Sequence, residues 1–168
     1  MTALLLSNGI DCAFDASGCL VCPEVPAVTP VPPHYKTEVV LGWNAGANSI
    51  TQLDGDLHTV FSMPVGVTGV VVGLKSSRLN QTVPDALNYG FFFQSAAGLG
   101  IAQVTERGVP MIASQSYVDT DQFEVRRSAG VVTYWQNNTL LYTSKVMSFG
   151  PMVVNSCLFA SGDAVGNS

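Results

Sequence analysis

The sequence predicts an all-β protein, an antiparallel β-sandwich preceded by an extended arm rich in cysteine and proline. Three observations predict it. Short apolar runs follow one another with Gly, Asn and Asp between them, and no stretch shows the 3.6-residue apolar period of an amphipathic helix. The 168 residues include 16 Gly and 9 Pro with only 11% charged, a composition of strands and turns. Residues 23–33 (PEVPAVTPVPP) hold five prolines, which favour polyproline II geometry and make a semi-rigid spacer.

The chain therefore divides into an arm with its linker, residues 1–34, and a sandwich, residues 35–168. That length accommodates one ordinary domain plus a short extension, or one sandwich-sized domain, but not two full cores. The first predicted strands are 37–43 (TEVVLGW), 50–53 and, after the turn Asp54-Gly55-Asp56, 57–63. Residues 67–74 (VTGVVVGL) are almost wholly apolar, as in a strand buried on both faces. Residues 89–94 (YGFFFQ) and 100–105 (GIAQVT) flank a small-residue turn at 95–99. A short strand is expected at 111–114, and residues 123–127 alternate Phe123 and Val125 with charged neighbours, so that one face is wet. Strands 131–136 and 139–144 flank Asn137-Asn138, a two-residue turn of residues that tolerate positive φ, and 152–158 closes the set. Val132 and Tyr134 are expected to pair with Leu140 and Tyr142, and Val71 and Phe92 to meet across the sandwich. Gly73 and Gly90, inside apolar strands, mark bends or close approach.

Charge narrows the function. Seven cations (Lys36, Lys75, Arg78, Arg107, Arg126, Arg127, Lys145) are scattered against twelve carboxylates, a net charge of −5, so no basic stripe exists for nucleic acid. No apolar run is long enough for a bilayer-spanning helix, and Met1–Ser7 lacks the basic start of a secretion signal.

Four segments resemble, in order, concanavalin A-like jelly-roll modules, which recur in bacteriophage tail, baseplate and fibre proteins and in bacterial surface proteins. They are residues 43–49 (WNAGANS), 72–74 (VGL), 121–126 (DQFEVR) and 132–144 (VTYWQNNTLLYTS). The last is similar to the family's V-x-Y-x-x-N-G-x-x-x-Y-x-S hairpin, with Asn138 in place of the glycine. Residues 158–165 (LFASGDAV) resemble its final strand and G-D-x-V turn. The resemblance covers about 35–168 and implies a lectin-like jelly roll.

Two roles follow from it. The first is a non-enzymatic structural component of a phage virion, assembled in the host cytoplasm. Its arm would dock onto other tail or baseplate proteins, and its jelly roll would mediate assembly or contact a host glycan or receptor, as a homo-oligomer and by expectation a trimer. The second is a free carbohydrate-binding module that stacks an aromatic side chain on a sugar ring amid Asn, Asp and Gln. The ligand-binding candidates are Trp135, Asn137, Asn138, Tyr117 and Asp119, with Trp43 and Gln136 beside them; the tryptophans have a packing role as the competing reading.

Catalytic and metal constellations are weak. The two histidines are His34, at the end of the proline linker, and His58, in DGDLH, where a metal site or general base competes with a solvated turn. The carboxylate pairs Asp54/Asp56 and Asp119/Asp121 fall in predicted turns rather than on a strand facing a cleft, so an enzyme is not expected. Neither pair has the ligand density of a calcium loop. Cys12, Cys19 and Cys22 leave three options open: a disulfide from Cys12 to Cys19 or Cys22, a zinc or iron–sulfur site, or structural thiols. The missing second CxxC, and Cys157 within apolar VVNSCLF, weigh against metal, and no cofactor is expected.

Overall fold

Two-residue turns that need positive φ organise the sandwich. The computed structural model describes residues 41–43, 45–76 and 83–166, together with the backbone of residues 4–5, 11–14 and 20–21. The chain forms two compact units, Met1–Glu38 and Val39–Ser168. The first contains three short antiparallel strands, β1 (Leu4–Leu5), β2 (Asp11–Phe14) and β3 (Leu20–Val21), in the order β1-β2-β3. Cys12 lies on β2, while Cys19, Cys22, His34 and the Pro-rich linker lie outside the described residues.

The second unit contributes eleven strands. They are β4 (Ala45–Asn48), β5 (Leu57–Ser62), β6 (Val70–Ser76), β7 (Tyr89–Ala96), β8 (Leu99–Glu106), β9 (Val109–Pro110), β10 (Gln115–Tyr117), β11 (Gln122–Ser128), β12 (Val131–Gln136), β13 (Thr139–Thr143) and β14 (Met152–Leu158). A large antiparallel sheet runs β10-β8-β7-β6-β14-β4, with β9 also on β8, and a small one runs β13-β12-β11-β5. The fold is a jelly-roll β-sandwich of two antiparallel sheets. Four hairpins turn on Ala97-Gly98 (φ 51 and 77), Arg107-Gly108 (50 and 77), Ala129-Gly130 (49 and 81) and Asn137-Asn138 (49 and 62). Positive φ at both positions matches the right-handed twist of the flanking strands.

The facing surfaces of the two sheets make the core. Val70, Val72 and Leu74 of β6, Tyr89, Phe91 and Phe93 of β7, and Ala102 and Val104 of β8 pack against Leu57, Phe61, Phe123, Val125, Val132 and Tyr134 of the small sheet. Rings dominate: Phe123 lies 4.8 Å from Phe93 and 5.2 Å from Phe91, both edge-on. Such pairs add about 0.5–1.5 kcal/mol each beyond their burial. The Tyr134 hydroxyl, wholly buried, donates to Glu106 Oε1 at 3.3 Å.

Several local expectations change. Val71 and Phe92 do not meet across the sandwich; they are register neighbours on adjacent strands of the large sheet, on its outer face, because Val70, Val72, Phe91 and Phe93 take the inward positions. Tyr134 does pair with Tyr142, but a register shift between Tyr134 and Trp135 sets Leu140 opposite Trp135. Leu53 makes only an isolated bridge to Met152, and no strand forms at 111–114. β9 ends at Pro110, Met111 N–H still donates to Val104 O of β8 at 2.9 Å, and the ladder with β8 forms again at Gln115, where Tyr117 can drop into the core. Residues 37–40 lie outside the described residues, and 41–43 are not a strand.

Candidate functional site

The outer face of the large sheet carries the site. Cys157, Val71, Phe92 and Gln103 stand in one register row across β14, β6, β7 and β8. The adjacent row is Asn155, Gly73, Gly90 and Thr105. Two neighbouring glycines leave the second row without side chains at its centre. Leu87 partly fills that space, its Cδ2 lying 3.3 Å from where a Gly90 Cβ would stand.

A groove of about 620 Å³ runs over these rows, floored by Val71, Phe92, Gln103 and Thr105. One wall is Trp43, 6.3 Å from the Phe92 ring and 5.3 Å from Phe159. That wall is held by Gly42 N–H donating to Phe159 O at 2.8 Å and by Phe159 N–H donating to Gly69 O at 2.9 Å. The Asp163 carboxylate anchors the same corner by accepting from the backbone N–H groups of Thr68, Gly69 and Ala160. The other wall is a single 3-10 turn, Pro84–Ala86, whose Asp85 carboxylate lies against Gly108 where a side chain would collide with it.

The groove's polar groups are loosely engaged. Gln103 Nε2 donates to Ile112 O at 3.4 Å, and the Thr105 hydroxyl to Gly90 O at 3.5 Å, both at the long limit of a hydrogen bond. Cys157, at the end of the first row, is buried, and its thiol donates to Asn155 Oδ1 at 3.3 Å. Burial pushes that thiol's pKa up, with Lys75 pulling the other way.

The residues singled out from sequence fall elsewhere. Tyr117 is a core residue, 4% exposed, with its ring edge-on to Phe93 and Phe123 and its hydroxyl donating to Pro64 O. It presents no face to a ligand. Asp119 accepts from Val65 N–H. Trp135 lies on the outer face of the small sheet, half-buried, with Nε1 donating to Thr133 Oγ1 at 2.9 Å and the Arg126 guanidinium 5.2 Å from its ring. Asn137 and Asn138 form the β12–β13 turn, where Asn137 donates to Asp121 Oδ1 and accepts from Gln122 N–H. Burial works against the Asp121 charge, yet hydrogen bonds from Asn137, Gln136 and Val118 N–H outweigh it and hold its pKa below the ordinary carboxylate value. The side chains of Asn137 and Asp121 are thus spent on the turn itself. Trp43, noted beside the main candidates, is the one aromatic of that reading that lines the groove. Phe92, Gln103, Thr105 and Asp85 escaped it, although Gln103 and Thr105 alternating with Ala102 and Val104 mark a strand with one polar face.

No family model matches the chain, and no curated protein sequence matches it. Among solved structures the chain is similar to the Emp47p carbohydrate recognition domain, at 12% identity and a TM-score of 0.41, over 76% of this chain and 77% of that one. It is similar to the PL7 alginate lyase AlyA1 from Zobellia galactanivorans at 13% identity and TM-score 0.35, over 76% and 64% of the two chains. The family 7 alginate lyase A1-II′ is similar at 11% identity and TM-score 0.29, over 98% and 83%. The likeness is of fold alone, and none of the three links the chain to bacteriophage tail proteins.

Proposed function

We propose that the sandwich is a carbohydrate-binding module that holds a glycan, without cleaving it, in the groove on the outer face of the large sheet. One observation carries the reading: the rings of Trp43 and Phe92 and the amide of Gln103 line the same depression. The C–H face of a pyranose packs on aromatic rings, while its hydroxyls need donors and acceptors together, which an amide supplies. Glycoside hydrolysis in its usual form needs two carboxylates flanking the bond, and among the described residues lining the groove Asp85 is the one carboxylate. Titration of the full chain against a glycan panel, read by tryptophan fluorescence and calorimetry, tests this. Trp43→Ala should weaken binding about 10- to 100-fold in a variant that still unfolds cooperatively, and Trp135→Ala should leave binding intact. Binding that survives Trp43→Ala and is lost with Trp135→Ala would move the site to the small sheet.

A structural role in a phage virion is a second reading, for which the separate compact unit Met1–Glu38 offers a docking piece. In it, residues 1–34 dock onto tail or baseplate partners and the sandwich mediates assembly or host-surface recognition as a trimer. Light scattering on the full chain and on a version starting at Tyr35 tests it. An oligomer that reverts to monomer on truncation supports the reading, and two identical monomers count against it.

A further inference from the structure

A second cavity, of about 350 Å³, opens at one end of the sandwich between the Asp54–Asp56 turn, the Ala129-Gly130 turn and the segment Ser148–Gly150. At its base is Arg127, on β11, whose side chain is 2% exposed. Nε donates to Gly55 O at 2.7 Å, and Nη1 donates to Gly150 O at 2.7 Å and to Ser148 Oγ at 3.3 Å. Nη2 is buried and has no hydrogen-bond acceptor among the described residues. The nearest carboxylate oxygen, Asp54 Oδ1, is 3.9 Å away, too far for a hydrogen bond. A charged donor buried in this way is under strong pressure to find an oxygen.

The rim supplies complementary groups. The Asp54 carboxylate is 74% exposed and holds only its own turn, accepting from Gly55 N–H. Asp56 is already committed, accepting from Ser128 Oγ and Ala129 N–H. Phe149, 74% exposed, lies against Gly130, where its ring occupies the space a Cβ would take. Two carboxylates against one guanidinium disfavour an anion, and the guanidinium itself repels a cation. A neutral hydroxyl suits both groups, accepting from Nη2 and donating to Asp54.

We propose that this cavity is a second binding site that takes one ring of a neutral polyhydroxylated ligand, with Arg127 Nη2 and Asp54 sharing its hydroxyls and Phe149 against its C–H face. It rests on the reading of the module as carbohydrate-binding and makes it bivalent, since the cavity and the groove are built from different residues. Two sites on one body raise avidity for a long or branched glycan without any new contact.

The test is amide chemical-shift mapping of the full chain with neutral methyl pyranosides of the gluco, manno and galacto series, and with methyl glucuronide as the anionic control. Shifts at Gly55, Gly130 and Gly150 report the cavity, and those at Gln103 and Gly108 report the groove. Asp54→Ala and Phe149→Ala, both exposed, should each weaken cavity binding about tenfold while leaving groove shifts and Tm unchanged. Saturable cavity shifts that persist in Trp43→Ala support the inference even if the groove fails. Groove shifts alone overturn it and leave the groove reading intact. Preference for the glucuronide, or cavity shifts untouched by Asp54→Ala and Phe149→Ala, also overturn it, and no shift at either place refutes both.

Discussion

Phe123→Leu isolates what the ring cluster contributes beyond apolar burial. The Phe123 ring has the Phe61, Phe91, Phe93 and Tyr117 centroids at 6.1, 5.2, 4.8 and 5.6 Å, the last three edge-on. Leucine keeps an apolar side chain and gives up one or two methylene equivalents, about 1 kcal/mol. Ring pairs contribute about 0.5–1.5 kcal/mol each. Because all four share one ring they do not add fully, and the equivalent of two pairs gives about 2 kcal/mol. The expected loss is therefore about 3 kcal/mol, measured by urea unfolding followed by circular dichroism, with an unchanged m-value. A loss of about 1 kcal/mol at unchanged m would refute the reasoning, because burial alone would then account for the residue.

The buried tyrosines predict alkaline instability. Burial is the first cause raising the pKa of Tyr89, Tyr117 and Tyr134 in the folded state, with Glu106 adding to it at Tyr134. A group whose folded pKa is raised gives stability that is complete below its unfolded value, about 10, and lost above it. Tm should therefore hold to about pH 10 and fall beyond it, and Tyr134→Phe should flatten that fall. Asp163→Ala removes the acceptor of three backbone N–H groups and should cost about 2 kcal/mol, read as a lower urea midpoint. It should also weaken glycan binding, because the Trp43 wall hangs from the same corner.

What could be read from the sequence was what short stretches decide for themselves. The β12–β13 hairpin is local: Asn137-Asn138 can hold φ of 49 and 62 and fix its flanks without help. Inward and outward faces were legible where polarity alternates, as at Phe123–Arg126, but misleading at the next residue, where the charged Arg127 is buried, and lost in the run Phe91-Phe92-Phe93, which has no polar residue to mark the wet side. Phe92 was therefore assigned to the core, when it floors the groove. Tyr117 shows the converse, since aromatic character says nothing of which way the ring turns. The groove could not be assembled at all, because its floor comes from β6, β7 and β8 and its walls from Trp43 and Pro84–Ala86, joined by registers that no local signal encodes.

β14 follows every other strand of the large sheet in sequence, yet it lies between β6 and β4 near one side of it. Asn48 pairs with Asn155, 107 positions later (155 − 48), so β4 has no place in the sheet until the chain has been made almost to residue 158. During synthesis β6 can already join β7 and β8, but its other edge stays open for the same interval. Contacts this distant along the chain make for slow folding, and an unfilled edge invites pairing with the wrong strand. The seven residues Met152–Leu158 thus act as a late-arriving key, and the time spent waiting for them is when this protein is most exposed to aggregation.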